Sequence, residues 1–375
     1  MDFVQSELEI ALRDSLDRFL TDKYDFITNR RNRDQWSPEL WKAFADELGI
    51  LGASVSEDAG GLGGGAAEIG AIMERFGRFL VREPFLSTIV MGAGILRRAQ
   101  GDLASSVLNE VVVGEAIVAV GCMENEATYD PAAIATRAET SNGGYQLSGR
   151  KVMVLDAPHA DWLIIPARTA GEGSDREGVS LFLIAANAPG IQREDYTLLD
   201  GASASTITLK SVAATHENLI CAEGDGSAIL DQVLDEAAAA VCAEACGLMQ
   251  AMLDQTVTYT QERQQFGKPI ADNQVLKHRM VDMLVAVKQA NNLLAVAHIK
   301  LDTPDRSAAV SAAKSRIGQL CRFVAQSAVQ LHGAIGITDE TAISHYFSRG
   351  LMLERLFGSV DYHLERYIDL QLPAG

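Results

Sequence analysis

Positive charge is in short supply in this 375-residue chain. It has 32 Lys and Arg against 50 Asp and Glu, which leaves a net charge of −18. Nucleic acid and anionic membrane surfaces are bound through basic faces, so we expect neither as a partner. An anionic ligand has to be held by individually placed cations and by helix ends.

Cysteine is also scarce, and its positions argue against a metal site. Cys242 and Cys246 share one helical face, but no second pair or nearby histidine completes a zinc site. The other cysteines are Cys122, Cys221 and Cys321. We interpret Cys242 and Cys246 as small core residues, we expect a reducing compartment, and we expect no metal.

Targeting signals and long apolar runs are missing as well. Residues 1–7 are acidic and lack the basic and apolar regions of a signal peptide. We find no apolar run of the ~18 residues that a membrane-spanning helix needs. The expectation is a cytoplasmic protein without a membrane partner.

Hydrophobic residues are plentiful, at 47% of the chain, and their spacing changes along its length. Helical spacing dominates residues 1–115, where Ser37 and Pro38 form a typical helix start. Short β-rich runs separated by turn clusters fill residues 116–222. Residues 223–375 hold four long periodic segments, predicted at 226–266, 272–301, 305–333 and 339–370.

These patterns predict an α+β fold. It consists of an N-terminal α-helical domain, a central small β-domain formed as a barrel or sandwich, and a C-terminal four-helix bundle. A glycine-rich loop at residues 60–65 matches part of a dinucleotide fingerprint, but it follows a helix and a short extended segment instead of a βαβ strand. We interpret this loop as a flexible connection.

The stretch at residues 261–283 carries a candidate binding site. One helix is predicted to bring Tyr259, Arg263 and Phe266 to its end, and a second helix begins a few residues later. An arginine there can grip a diphosphate through its planar fork of donors, and a phenylalanine can lie against a flat heterocycle. The alternative is an arginine–carboxylate pair beside a core phenylalanine.

The run Glu262-Arg263-Gln264-Gln265-Phe266-Gly267-Lys268, followed by Gln274 and later by Gln330-Leu331-His332-Gly333, resembles the acyl-CoA dehydrogenase family. The order of helical domain, β-domain and helix bundle is similar to that family along the whole chain. This resemblance implies an FAD enzyme that oxidises an acyl-CoA to the 2,3-enoyl-CoA, with electron-transfer flavoprotein as acceptor. It also implies a tetramer, a dimer of dimers, in which a chain reaches into its neighbour's FAD site.

The same resemblance implies which residues hold FAD. These are Arg263, Phe266, Gln274, Gln330, Gly333 and Ala334. Ala334 stands where the family has a second glycine, and its methyl group can hinder a close approach. For His332, in the same turn, we favour a structural hydrogen-bonding role over one as a base.

Other family patterns are altered in this chain. Met123-Glu124-Asn125, ahead of Thr128-Tyr129-Asp130, replaces Thr-Glu-Pro ahead of Gly-Ser-Asp, and Met153-Val154-Leu155 replaces Trp-Ile-Thr after Gly149-Arg150-Lys151. Met123 and Leu155 cannot supply the hydrogen bonds to the flavin that the family's hydroxyl groups supply. Met153 removes the tryptophan wall.

The catalytic base is altered too. The family's Tyr-Glu-Gly-Thr corresponds to Phe357-Gly358-Ser359-Val360, with Gly358 at the position of the glutamate. Members with the base on the first long helix carry it ten residues before a Gly-Leu pair, which is Ala237 here. Glu236 is the neighbouring candidate, but one residue turns a helical side chain by about 100°. Weaker candidates are Asp235, Glu244, Glu354 and Asp361.

The family residues that reach into a neighbour's FAD site are kept in this chain. The family residues that hold the chain's own flavin and supply its base are altered. In this it resembles the small subunits of pimeloyl-CoA dehydrogenases and related chains that pair with a larger acyl-CoA dehydrogenase subunit. We therefore predict one subunit of a heteromeric enzyme. Three alternatives stay open: a self-sufficient homotetramer with Glu236 as the base, a flavin-dependent monooxygenase on the same fold, and a structural subunit without flavin contact.

Overall fold

A computed structural model describes residues 6–26, 36–124, 129–141, 143–173 and 175–372. The chain divides into two compact units. The first unit contains Met1–Arg31, Ala66–Val81 and Ala238–Gly375, and the second contains Asn32–Gly65 and Arg82–Ala237. Each unit therefore combines segments that are distant in sequence. The predicted division at residues 115 and 222 into three consecutive domains stays a prediction.

Helices make up most of the chain outside residues 118–215. In the described residues the longer α-helices are α1 (Glu7–Lys23), α2 (Pro38–Asp46), α3 (Ala66–Phe79), α4 (Asp102–Val112), α5 (Gly226–Glu262), α6 (Gln274–Lys300), α7 (Arg306–His332), α8 (Ile343–Arg355) and α9 (Val360–Gln371). A π-helix at Leu86–Ala93 precedes α4.

Two helix starts follow from local capping chemistry. Ser6 Oγ accepts a hydrogen bond from the N–H of Glu9, and the Glu9 carboxylate accepts one from the N–H of Ser6, which forms a capping box. At α2, Ser37 Oγ accepts from the N–H of Leu40 and Pro38 lies in the first turn. The predicted helix start at Ser37 is confirmed.

In the first unit α7 lies against α6, α8 and α9. Glycines allow α3 and α5 to come very close: a Cβ on Gly77 would lie 2.0 Å from the carbonyl oxygen of Glu244, and one on Gly247 would lie 1.8 Å from that of Glu74. The fourth predicted segment of the bundle is wrong as a continuous helix. It breaks between α8 and α9, where Phe357 (φ 58°) and Gly358 (φ 125°) leave helical geometry.

Helix α5 corrects one expectation from the sequence. It contains an 18-residue window of mean hydropathy 1.2, so by length and composition it is long and apolar enough to cross a membrane. Inside the protein, however, 89% of that window is buried. Burial of this extent is typical of the core helix of a folded domain.

The second unit is built on a seven-stranded sheet. Its strands are β1 (Val118–Val120), β2 (Arg137–Ser141), β3 (Gly144–Leu155), β4 (Trp162–Arg168), β5 (Val179–Ala185), β6 (Ile191–Thr197) and β7 (Ser203–Thr215). The order is β1-β4-β2-β3-β7-β6, with β5 paired to β4. Strands β1 and β4 are parallel, and the β3–β7 and β4–β5 pairs are antiparallel.

The core of this sheet is formed by alternating apolar side chains. Leu147, Val154, Leu163, Phe182 and Ile207 are among its fully buried members. Strand β6 was not predicted, because six of its seven residues are exposed and it lacks an apolar face. The Gly60–Gly65 loop follows a 3₁₀ turn, Glu57–Ala59, and backbone hydrogen bonds hold it, among them Gly63 N–H to Val55 O at 2.8 Å.

Candidate functional site

The hairpin after α5 presents two of the predicted cofactor residues. Helix α5 ends at Glu262, and the N–H of Arg263 still donates to the carbonyl of Tyr259 at 2.8 Å. Two short strands, β8 (Gln264–Gln265) and β9 (Lys268–Pro269), pair in antiparallel register. The expectation that the helix carries Arg263 and Phe266 is therefore wrong, because both lie beyond its last turn.

Phe266 lies at the tip of this hairpin with a left-handed backbone conformation and a fully exposed side chain. Its φ is +53° and that of Gly267 is +78°, as in a type I′ turn. The left-handed region is disfavoured for a bulky residue, and the Phe266 side chain is 101% exposed. No carboxylate among the described residues pairs with Arg263. The alternative of an ion pair beside a core phenylalanine is therefore wrong.

The other predicted cofactor residues are exposed on the same unit. Gln274 is the first residue of α6, and Gln330 lies in the last turn of α7. Gly333 follows α7 with φ +67°, and no atom lies within 4 Å of a Cβ built on it. Ala334 is exposed in the 3₁₀ turn Gly333–Ile337. All six residues are thus accessible to a ligand on the surface of this unit.

His332 has a structural role in this turn, as the sequence favoured. Its Nδ1 lies 2.8 Å from the carbonyl oxygen of Ala328, so this nitrogen carries the proton. The His332 ring stacks on Tyr259, with ring centroids 4.4 Å apart and an interplanar angle of 20°. Burial lowers the pKa of His332, although its bond to Ala328 acts in the opposite direction. The imidazole is therefore neutral at pH 7.

In the second unit, the altered positions lie around a bulge in β3. The pairing of β3 with β7 shifts between Lys151 and Val154. Met153 has φ +50° there, and its N–H donates to Tyr196 Oη at 3.0 Å. The N–H of Val152 donates to the carbonyl of Met123 at 2.8 Å, which ties the two altered segments together. Asn125, Thr128 and Asn142 lie outside the described residues.

A buried ion pair supports this bulge. Lys151 Nζ, fully buried, lies 2.5 Å from Glu124 Oε1 and 2.6 Å from the carbonyl oxygen of Pro166. Glu124 also accepts the N–H groups of Ala135 and Thr136. Burial alone would raise the pKa of Glu124, but the Lys151 charge and these hydrogen bonds outweigh it and hold the pKa below its usual value. The sequence analysis named both residues but missed their pairing.

Gly358, at the family's usual base position, has no room for a side chain. With φ +125°, its Cβ would lie 2.5 Å from His363 Nε2 and 2.6 Å from Tyr362 Cδ1. His363 is buried, and its Nε2 donates to the carbonyl of Phe357 at 3.0 Å. Lys314 Nζ, also buried, donates to the carbonyl of Gly358 at 2.9 Å. Neighbouring side chains fill the space that a carboxylate would need.

Glu236, the alternative base, is held by two arginines. Arg97 Nη2 lies 2.9 Å from Glu236 Oε2, and Arg98 contacts both carboxylate oxygens. The Glu236 side chain is only 16% exposed. Its oxygens are engaged in a structural ion pair, which is a poor arrangement for accepting a substrate proton.

Three of the four weaker carboxylate candidates are also engaged. Glu244 pairs with Arg349, with Nε and Oε1 2.6 Å apart, and Glu354 pairs with Arg322, with Nε and Oε2 2.7 Å apart. Asp235 is buried with polar interactions of its own. Asp361 lies in the first turn of α9. Glu244 and Glu354 are thus paired with arginines, whereas Asp361 is exposed.

Comparison with known proteins identifies the family. Family models for the N-terminal, middle and C-terminal domains of acyl-CoA dehydrogenases match residues 6–115, 119–212 and 224–368. The caffeyl-CoA reductase–Etf complex subunit CarC of Acetobacterium woodii is 27% identical over 308 residues, which cover 80% of this chain and 81% of CarC.

Solved structures agree with this match. The FAD complex of PigA superposes with a TM-score of 0.91 at 26% identity and covers 99% of both chains. A variant of the Tcur3481–Tcur3483 steroid ACAD superposes with a TM-score of 0.86 at 27% identity and covers 97% of both chains. The α+β fold predicted from the sequence is confirmed. The chain therefore belongs to the acyl-CoA dehydrogenase family, FAD-dependent oxidoreductases that act on the CH–CH bond of an acyl-CoA.

Proposed function

We propose that this chain is one subunit of a heteromeric acyl-CoA dehydrogenase and that it completes the FAD site of its partner. The observation that carries the proposal is the hairpin tip, where Phe266 is 101% exposed in the left-handed backbone region. A fully exposed aromatic ring in a strained turn is typical of a binding surface. The partner's cofactor would cover it.

The exposed surface of the first unit fits part of an FAD molecule. The Arg263 guanidinium, which pairs with no described carboxylate, can bind a diphosphate through two parallel hydrogen bonds. Phe266 offers a flat apolar face, and Gln274 and Gln330 offer amide donors and acceptors. Space around Gly333 allows a ligand to approach the backbone.

The positions expected to hold a flavin in the second unit fit it less well. Met123 and Leu155 have no hydrogen-bond donor in their side chains, and the N–H of Met153 is already bonded to Tyr196. Hydrogen bonds to a flavin ring would have to come from other groups. This contrast between the two units supports the proposal that the chain contributes more to its partner's FAD site than to an FAD site of its own.

The chemistry divides between the subunits in the same way. When bound, FAD supplies the hydride acceptor for dehydrogenation of the acyl-CoA. Removal of the α-proton needs a carboxylate within hydrogen-bonding reach of the substrate. Gly358 has no side chain and Glu236 is held by two arginines, so we assign the base to the partner. In this proposal, the residues of this chain bind and orient the FAD of the partner.

Two relatives support the wider assembly. The steroid ACAD similar to this chain is named after two proteins, Tcur3481 and Tcur3483. CarC is named as a subunit of an Etf complex. We therefore include a larger acyl-CoA dehydrogenase chain and electron-transfer flavoprotein among the proposed partners. A cytoplasmic location is part of the same proposal.

The test is the amount of flavin bound per chain. The chain is purified alone and together with its genomic neighbour, if that neighbour encodes another acyl-CoA dehydrogenase-like chain, and bound flavin is measured by absorbance. We expect little flavin on the isolated chain and one flavin per pair, reduced by Arg263→Ala. One flavin per isolated chain, with turnover abolished by Glu236→Gln, would instead support a homotetramer. Oxygen consumption without acyl-CoA oxidation would support a monooxygenase.

A further inference from the structure

We propose that Tyr259 and His332 form a positioning pair that holds the Arg263–Pro269 hairpin and the Gln330–Ala334 turn in a fixed relation, so that both meet one flavin as a single surface. This inference rests on the proposed function. It assigns a role to two residues that contact each other instead of the cofactor.

The two elements come from distant parts of the chain. The hairpin follows α5 and the turn follows α7, and more than 60 residues separate them in sequence. Phe266 in the hairpin and Gly333 in the turn are exposed, and the backbone has a positive φ at each of them. Elements of this kind need a tertiary contact near their base to keep a defined separation.

The Tyr259–His332 contact lies at that base. The two rings stack with centroids 4.4 Å apart, and Tyr259 Oη donates to the carbonyl oxygen of His332 at 3.3 Å. That carbonyl belongs to the last residue of α7 and precedes the 3₁₀ turn Gly333–Ile337. The hydroxyl of one helix thus caps the end of the other.

Each ring is also tied to the element that it positions. The carbonyl of Tyr259 accepts the N–H of Arg263 at 2.8 Å, which is the last hydrogen bond before the hairpin. His332 Nδ1 donates to Ala328 within α7, and His332 directly precedes Gly333. A shift of either ring is therefore passed along the backbone to Arg263 or to Gly333.

A double-mutant cycle on the assembled enzyme tests the positioning role. Tyr259→Leu keeps an apolar side chain but removes the stack and the hydroxyl. It is expected to raise the flavin dissociation constant about three- to tenfold, as measured by flavin fluorescence. In an Arg263→Ala/Phe266→Ala background the same change should have less than about a twofold effect, because the hairpin no longer contributes. Thr258→Ala, an exposed change on the same helix, is the matched control.

The outcomes separate the two proposals. An equal effect of Tyr259→Leu in both backgrounds would show a general structural role and overturn the positioning pair. No effect of Tyr259→Leu, with weakened binding in Arg263→Ala/Phe266→Ala, would also overturn it but leave the proposed function intact. Unchanged binding in Arg263→Ala/Phe266→Ala would overturn the proposed function itself. Should Tyr259→Leu fail to assemble, Tyr259→Phe tests the hydroxyl alone, with a loss of about two- to threefold expected only when the hairpin is intact.

Discussion

At the scale of single residues, the same family positions carry different physical constraints in this chain. Gly358 takes up a conformation that is open to glycine and closed to a glutamate. Glu236 has the right chemical group but is surrounded by arginines. Residue identity alone would indicate that the base is missing at Gly358 and present at Glu236. Neither has the environment of a base.

Gly358→Ala is expected to destabilise the protein by about 1–3 kcal/mol or more. The cost combines a positive φ for a residue with a Cβ and contacts of 2.5–2.6 Å with His363 and Tyr362. Gly358→Glu should therefore lose stability without gaining turnover. Urea unfolding monitored by circular dichroism measures the loss. Gly143→Ala, which also has positive φ but no atom within 4 Å of its Cβ, separates strain from crowding.

Glu236→Gln is expected to leave turnover of the assembled enzyme within about twofold of wild type, because the side chain is an ion-pair partner of Arg97 and Arg98. The same change should destabilise the chain by about 1–3 kcal/mol, since two partly buried guanidinium groups lose a charged acceptor. Steady-state kinetics and unfolding on one preparation measure both effects. A loss of turnover with unchanged stability would identify Glu236 as a base.

At the scale of elements, buried polar links fix the segments that the predicted site depends on. Lys151 and Glu124 hold the β3 bulge against the segment that contains Met123. Arg168, almost fully buried at the end of β4, donates to the carbonyls of Ile134 and Ala132 in the loop before β2. Such links retain the loop geometry even where the side chains that face a cofactor have changed.

Lys151→Met is expected to cost about 3–5 kcal/mol, because it leaves the Glu124 carboxylate in a nearly buried site without its cation. The double variant Lys151→Met/Glu124→Leu should recover most of this loss. Chemical denaturation of the two single variants and the double variant measures the coupling. Additive losses would contradict a buried pair.

The same pair predicts a pH dependence. The folded-state pKa of Glu124 lies below its unfolded value of about 4.3, so the native state binds fewer protons. The stability that it contributes is present above pH 4.3 and is lost as the pH falls through the folded-state pKa. Unfolding midpoints between pH 3 and 7 should fall more steeply for wild type than for Glu124→Gln.

At the scale of the whole molecule, one helix carries an apolar face that the described residues do not cover. On α6, Val281, Leu284 and Val285 are 55%, 42% and 49% exposed and share one face. This face follows the Phe266 hairpin in the chain. An exposed apolar face of this kind is suited to contact with another subunit.

Val281→Glu with Val285→Glu is expected to separate the assembly into smaller species, because two carboxylates would have to be desolvated at the interface. Light scattering measures the change in mass. Lys210→Glu changes the net charge by the same two units at an exposed position on the other unit and should leave the mass unchanged. An assembly that survives both changes would place the subunit contact elsewhere.

The sequence predicted the fold class well because helical periodicity and β-rich runs are local signals. It predicted Ser37 as a helix start for the same reason. It missed β6, whose outward-facing polar residues give no alternation, and it extended the helices through Phe266 and Phe357 because a left-handed residue leaves no mark in an apolar pattern. The contacts of Glu236 with its arginines and of Tyr259 with His332 were not predictable, since they join segments more than 70 residues apart.

Gly358 also has an evolutionary consequence. A glutamate cannot be introduced at this position by one substitution, because Tyr362, His363 and the backbone itself would all have to change with it. Under the proposed function, the glycine therefore acts as a ratchet that keeps this chain dependent on its partner subunit for a base.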